Sequence, residues 1–421
     1  MNSVSTMNDF LAFLSASPSS YHAAHEVARR LETVGFTRLE EQDSWLGVLV
    51  PGAKWYVIRD GAIVAWSMPK TVEASTALRI LGSHTDSPGF KVKPGPVTES
   101  HGFSQLNVEV YGGPILDTWF DRELEFAGRI VSRDGREHLV RSGPVARIPQ
   151  LAIHLDRSAN DTRTVDRQLH TQPILGVGSL DFFGELAASV GLTSGDIAGH
   201  DIISVDAQPP ALFGQDQQLI ASGRLDNLTS VYASCQAFVE FDHDSSDTIS
   251  VLAAFDHEEL GSESRSGASG PLLAEVLERI SESLGASRDQ QAQAFATSWC
   301  VSADAAHSIN PNFAGKHDPN VYPVLGGGPV LKLNANQRYA TDAHGSAFWR
   351  AACERANVAT QEFVSNNSIP CGTTIGPLTA TRLGIRTLDV GVPILSMHSA
   401  RELCHRGDIA QFVAVLKACL S

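Results

Sequence analysis

No Cys-x-x-Cys pair occurs in the chain, and its six cysteines, Cys235, Cys300, Cys353, Cys371, Cys404 and Cys419, are widely scattered. That spacing suggests neither a thiolate zinc site nor a disulfide framework, so reduced core or surface thiols are expected. Long apolar runs are also missing. The segment Met1–Phe10 has neither a basic region nor a continuous apolar stretch, and no later run reaches membrane-spanning length. A cytoplasmic protein without a membrane partner is the default expectation. Positive charge is the third shortage: 32 Lys and Arg stand against 47 Asp and Glu, a net charge of −15. Such a field repels nucleic acid and anionic lipid, and an acidic substrate would need local cations to oppose it. Familiar catalytic signatures are absent too. Without His-Glu-x-x-His or Gly-x-Ser-x-Gly there is no single-zinc protease helix and no nucleophile elbow, and Gly326-Gly327-Gly328 completes no phosphate-binding fingerprint.

What is present is an ordinary globular composition, 43% apolar and 19% charged over 421 residues, long enough for two or more domains. The opening reads as helix over Asp9–Ala16, then as a second helix capped by Ser20, running through Glu32 and ended at Gly35. Lys54–Arg59 and Ala62–Met68 flank Asp60-Gly61, a hairpin dipeptide, and Thr76–Gly82 is a strand leading into His84. Between about Lys91 and Ser222 short strands joined by glycine-rich turns dominate, among them Asn107–Tyr111, Glu125–Val131, His138–Val140 and Ile202–Val205. Beyond it, helices (Asn227–Phe241, Pro271–Leu284, Ser346–Asn357, Asp408–Leu420) alternate with strands (Thr248–Phe255, Ser298–Ser302, Pro329–Leu333, Arg386–Val390). Alternation of this kind predicts an α/β layer with mostly parallel strands. The expected fold is a discontinuous three-layer α/β/α catalytic domain, residues 1–90 and 223–421, carrying an inserted β-rich assembly domain over 91–222. Ala286–Ala296, rich in Gln, Ala and Ser, reads as a flexible loop.

Acidic residues and histidines recur at the ends of the predicted strands. Glu258 and Glu259 follow Val251–Phe255; adjacent side chains diverge, so one carboxylate can coordinate a cation while the other handles a proton beside it. His84 and Asp86, two apart, share a face in extended geometry, and a carboxylate beside a ligating histidine fixes its tautomer. Asp226 precedes a helix, where aspartate serves equally as an N-cap or as a bridge between two cations. Asp304 ends another strand-like run, and His398 follows the strand Arg386–Val390. His, Asp, Glu, Asp and His at strand ends of one α/β domain suit Zn²⁺ better than Mg²⁺ or a sulfur-ligated centre.

In this order the motifs Gly82-Ser83-His84-Thr85-Asp86-Ser87-Pro88, Arg224-Leu225-Asp226-Asn227, Asp256-His257-Glu258-Glu259, Lys332-x5-Arg338-Tyr339, Pro370-Cys371-Gly372-Thr373-Thr374-Ile375-Gly376-Pro377 and Ser396-Met397-His398-Ser399 resemble the aspartyl aminopeptidase family over essentially the whole chain. The resemblance implies a dinuclear zinc aminopeptidase that removes N-terminal Asp or Glu from peptides. By motif, His84 and Asp304 would hold one zinc, Glu259 and His398 the other, and Asp226 would bridge. Asp86 would support His84, and Glu258 would be the general base acting on a metal-activated bridging water. Lys332 would face the substrate's acidic side chain with Tyr339 as a neutral donor. Thr373 and Thr374 would offer hydroxyls and amides to the peptide, and His307 would shape the pocket. The resemblance further implies that His154 reaches a neighbouring subunit's active site, and that subunits form a tetrahedral homododecamer admitting peptides and excluding folded proteins. Two alternatives stay open: a dinuclear zinc hydrolase of another amide (a neutral aminopeptidase or an N-acyl amino acid deacylase), and a metal-stabilised scaffold without activity.

Overall fold

The structure, a computed structural model, describes residues 3–421. Nine strands form the main sheet in the order Thr37–Arg38, Lys54–Arg59, Ala62–Ser67, Ile249–Phe255, Leu78–His84, Trp299–Ala303, Arg386–Gly391, Val330–Lys332 and Gln361–Phe363. The four central strands, from Ile249–Phe255 to Arg386–Gly391, are mutually parallel, so their carboxyl ends open on one side of the sheet. Period-two alternation sends each strand's side chains into two separate cores. Leu81, Leu252, Ala254 and Val301 pack beneath the helices Ser20–Glu32, Leu225–Glu240, Ala343–Ala356 and Arg406–Cys419. Ile80, Val251, Ala253 and Cys300 pack on the opposite face with the helix Leu272–Ser283. This is the expected α/β/α arrangement. Fully buried strands between two helical layers explain why they read as apolar runs rather than as alternating ones.

A second sheet of seven strands lies between residues 89 and 206. Its strands Gly89–Ser100, Phe103–Tyr111, Ile174–Val177, Ala146–Arg147, Glu123–Ser132 and Ile197–Asp206 are paired in a ring, because Ile197–Asp206 pairs with both Gly89–Ser100 and Glu123–Ser132. The ring is a closed barrel filled by Phe90, Leu106, Phe126, Ile130 and Ile202, with Glu137–Arg141 appended outside. Closure leaves few free sheet edges. At Gly128 the strands Glu123–Ser132 and Ile197–Asp206 come so close that a Cβ there would overlap the Asp201 carbonyl. Arg129 reaches out of the barrel to Asp60 in the hairpin turn of the main sheet, 3.0 Å away, and lies over the Tyr21 ring at 4.5 Å.

The range 91–222 expected for the insertion also includes Ala211–Phe213 and Leu219–Ser222. These belong instead to a third sheet, with Glu402–His405, Pro393–Leu395 and Ala306–His307. Other local expectations shift by a residue or fail. The second helix is capped by Ser19, not Ser20; its hydroxyl accepts the His22 amide. Ala286–Ala296 is not a loop: Arg288–Thr297 is helical, started by a capping box in which Ser287 and Gln290 satisfy each other's amides. Composition concealed that signature. The three glycines 326–328 are explained by structure as well, since the amides of Gly326 and Gly328 donate to the buried Asp408 carboxylate. No helix among the described residues is long and apolar enough to cross a membrane. All six cysteines are free thiols, five of them buried.

Candidate metal and catalytic centre

The carboxyl ends of the central strands bring the predicted residues together, as ligands gather in open α/β sheets. His84 is the last residue of its strand; Asp304 follows Trp299–Ala303; Glu258 and Glu259 form a single 3-10 turn after Ile249–Phe255. Asp226 sits near the start of the helix Leu225–Glu240 but has non-helical backbone angles. Its role as an N-cap is not realised: Arg224, in the left-handed region at φ 61°, occupies that position. His257 and His398 share that backbone region, at φ 60° and 67°. Such conformations are uncommon for residues with a Cβ and re-aim the chain sharply at each ligand-bearing turn.

Asp226 is the geometric centre. Its Oδ1 lies 3.4 Å from His84 Nε2, and its Oδ2 lies 3.2 Å from His398 Nε2. Asp304 Oδ1 approaches His84 Nε2 at 3.9 Å, and Glu259 Oε1 approaches His398 Nε2 at 3.4 Å. Two groups with cation-binding spacing follow, His84 with Asp226 and Asp304, and Asp226 with Glu259 and His398; they share Asp226. A third grouping of His84 with Glu258 and Glu259 overlaps them. Glu258 Oε2 is 4.0 Å from His84 Nε2, close to both groups.

Electrostatics show that the cluster suits cations. Asp226 Oδ1 and Glu259 Oε1 are buried and accept no well-formed hydrogen bond, a costly state for a carboxylate oxygen without a cation. Burial, reinforced by the neighbouring Asp304, Glu259 and Asp226 and opposed by His84, lifts Glu258 to about 8. Burial and Asp226 similarly lift Glu259 to about 7, against His398. For His398 burial works the other way, but Asp226 and Glu259 outweigh it and raise the imidazole to about 11. The same contest raises His84, where Asp226 and Asp86 prevail over burial. Despite burial, Asp226, held between the two imidazoles, is pushed well below the usual carboxylate range, while Glu258 and Glu259 are raised; carboxylates and imidazoles so placed crowd negative charge that two divalent ions would neutralise. Mixed imidazole and carboxylate donors fit zinc.

Asp86 supports more than His84. Its Oδ1 lies 3.4 Å from His84 Nδ1 and accepts the Glu258 amide at 3.0 Å, while Oδ2 accepts the Tyr111 hydroxyl at 2.8 Å and the Glu259 amide at 3.2 Å. Tyr111, at the end of a barrel strand, gave no sequence signal. Glu402 was missed as well. Fully buried, it accepts the amides of Asp226 at 3.0 Å and His398 at 2.8 Å, and burial together with Asp226 raises it to about 8. A glutamate four residues after His398 was the only hint.

Lys332 is 2% exposed, so it is not a solvated surface charge. Its ammonium donates to the carbonyls of Asp304 and Ala305, both at 3.0 Å, and lies 5.0 Å above the Tyr339 ring. Next to it a pocket is lined by His307, Tyr339, Cys371, Gly372, Met397 and Lys316, among others. His307 is solvent-exposed and packs against Phe363 with ring centroids 5.7 Å apart. Thr373 is exposed and donates to the Arg338 carbonyl. Thr374 is not available as a hydroxyl for peptide: it donates to Asp389 at 2.6 Å and caps the helix Ile375–Leu383. His154 stands apart, exposed in the turn-rich segment between Ala146–Arg147 and Ile174–Val177, with no hydrogen bond or ion pair to the cluster among the described residues.

Comparisons with known proteins bear on the family of the chain. The M18 profile described as Aminopeptidase I zinc metalloprotease matches residues 13–419. A probable M18 family aminopeptidase 2 of Streptomyces avermitilis is 50% identical over 409 residues, covering 95% of this chain and 94% of the relative. A protein of the same description from Pseudomonas entomophila is 43% identical over 97% of this chain and 96% of its own length. Among solved structures, the cryo-EM structure of the Ape4 and Nbr1 complex superposes with TM-score 0.95 at 35% identity, covering 99% of this chain and 85% of that one. The S. cerevesiae mApe1 dodecamer superposes with TM-score 0.86 at 28% identity, covering 98% of this chain and 95% of that one. The chain belongs to the M18 family of zinc metalloprotease aminopeptidases.

Proposed function

We propose that this M18 zinc aminopeptidase removes acidic residues, Asp or Glu, from the N-termini of peptides, with two zinc ions per subunit. His84 and Asp304 would hold one ion, Glu259 and His398 the other, and Asp226 would contact both. When bound, the ions supply Lewis-acid polarisation of the scissile carbonyl and lower the pKa of the attacking water. Glu258 has the position for a general base: it is unclaimed by any side-chain hydrogen bond among the described residues, and its Oε2 lies 4.0 Å from His84 Nε2, beside the proposed zinc ligands. It would take the water's proton and return it to the departing amine. Asp86 keeps His84 and the Glu258 turn in register.

The observation that carries the acidic preference is the buried Lys332. An ammonium has three N–H donors, and two go to the carbonyls of Asp304 and Ala305. The nearest Asp304 carboxylate oxygen, at 3.8 Å, is too far to take the third. That donor is free for a substrate carboxylate entering beside Tyr339, His307 and Met397, where a neutral side chain would leave it unpaired. Thr373 and the backbone beside Thr374 would line the peptide's path.

Self-assembly into a tetrahedral dodecamer is part of the same reading. Leu151, Ile153 and Leu155, which flank His154, are 61%, 45% and 74% exposed, an apolar arm that a second subunit would cover. His154 would thereby be delivered to a neighbour's site and help stabilise the tetrahedral intermediate. The first test compares Asp-, Glu-, Ala- and Leu-terminated chromogenic amides with zinc-loaded protein, against chelated apoprotein. Metal-dependent preference for Asp and Glu, lost selectively in Lys332→Ala when both proteins are assayed at saturating zinc, is the expected result. Preference for Ala or Leu would overturn the Lys332 argument while keeping the metal chemistry, and no turnover would bring the deacylase or scaffold forward.

A further inference from the structure

Asp304 is held on a turn whose backbone is occupied from several directions. Its own amide donates to the Val390 carbonyl at 2.8 Å. On one side Asn227 brackets the turn: its Nδ2 donates to the Ala303 carbonyl at 2.9 Å, and its Oδ1 accepts the Ala305 amide at 3.3 Å. On the other side Lys332 donates to the carbonyls of Asp304 and Ala305. Gly391 closes the fit, since a Cβ there would overlap the Asp304 carbonyl. The Glu259 turn is held by other partners, none of them Asn227 or Lys332: Asp86 accepts the amides of Glu258 and Glu259, and the Gly261 amide donates to the Glu258 carbonyl at 2.8 Å.

Asn227 is fully buried and is the residue after Asp226. One dipeptide therefore presents the carboxylate shared by both cation groups and, through the next side chain, fixes the backbone on either side of Asp304. We infer that Asn227 is a positioning residue that sets zinc affinity at the His84–Asp304 site selectively, with Lys332 acting on the same turn from the opposite side. This inference rests on the ligand assignment proposed above. The physical reason is preorganisation. A carboxylate on a locked turn needs no ordering when the ion arrives, whereas one on a loosened turn must be ordered at the expense of affinity, and outer supports of metal ligands commonly matter by about 10- to 100-fold.

The test measures zinc stoichiometry and the two dissociation constants by competition with a chromophoric chelator, for the wild type, Asn227→Ala, Asp304→Asn and Glu259→Gln. Asp304→Asn and Glu259→Gln identify which constant belongs to which site. Asn227→Ala is expected to weaken the Asp304-dependent constant by about tenfold or more while leaving the Glu259-dependent one little changed. Its kcat should recover as free zinc is raised to saturation, with KM near that of the wild type. A merely structural role would move both constants together, and that result, or no change in either, overturns the inference. Should Asn227→Ala fail to fold, Lys332→Met probes the same turn from the other side, with the same site-selective loss expected and an even loss counting against it. If Asp304→Asn itself retains both ions, the ligand assignment fails, and the inference falls with it.

Discussion

Asp86 touches His84, the amides of Glu258 and Glu259, and a barrel tyrosine. Every one of its partners is a donor or an imidazole, so the amide of Asp86→Asn would set an N–H against an N–H. We expect that substitution to lower activity or zinc affinity by about 10- to 100-fold with the fold intact, checked by kinetics and metal analysis on one preparation. Glu258→Gln should separate differently: two zinc ions retained, turnover reduced by at least about 10²-fold. Measured activity near the wild-type level would remove Glu258 as base. At this scale the sequence was informative wherever a residue's chemistry is rare at its place, as for Glu258-Glu259 and His84-x-Asp86. It assigned no role to Asn227, although that residue closes the motif Arg224-Leu225-Asp226-Asn227, nor to Tyr111 or Glu402. Their partners lie 76, 25 and 176 positions away, and only the folded chain creates those pairs.

Secondary elements carry their own tests. The capping box at Ser287 and Gln290 predicts that Ser287→Ala lowers stability by about 1 kcal/mol, read from urea unfolding. Gly128→Ala should cost about 1–3 kcal/mol or more, because its Cβ would overlap the neighbouring strand's backbone at Asp201. His243 gives a pH signature. It is buried among Phe36, Phe238 and Phe241, its Nε2 meets the Phe238 carbonyl at 2.8 Å, and burial lowers it to about 4. The unfolded chain therefore binds a proton at this position below about pH 6.5 that the folded chain takes up only near 4. Stability from this group is present above pH 6.5 and is lost as pH falls toward 4, by up to about 3 kcal/mol. His243→Gln should flatten that part of the stability–pH curve; an unchanged slope would place the acid sensitivity elsewhere. Strand and helix positions were legible because period and turn residues are local. The helix at Arg288–Thr297 was misread since its polar composition masked a two-residue cap.

For the whole molecule, sequence alternation anticipated the α/β/α layers and a β-rich insertion. It did not show that the insertion closes on itself or that Ala211–Phe213 and Leu219–Ser222 return to pair beside Glu402–His405. Closure depends on the pairing of Ile197–Asp206 with Glu123–Ser132, segments whose register is fixed by tertiary fit. Assembly belongs at this scale. His154→Ala is expected to reduce turnover while light scattering shows the same particle mass as the wild type. An unchanged rate would return His154 to a passive place on the surface.

The last residue of the strand Leu78–His84 and the first of Gly89–Ser100 are separated by only four residues, and Tyr111 from the barrel grips Asp86 within that short connection. The barrel is consequently not an interchangeable module. Splicing it out, or grafting another cassette at the same junction, would release a ligand-bearing segment from its brace, so gene rearrangements that preserve both flanking halves would still be expected to erase the enzyme.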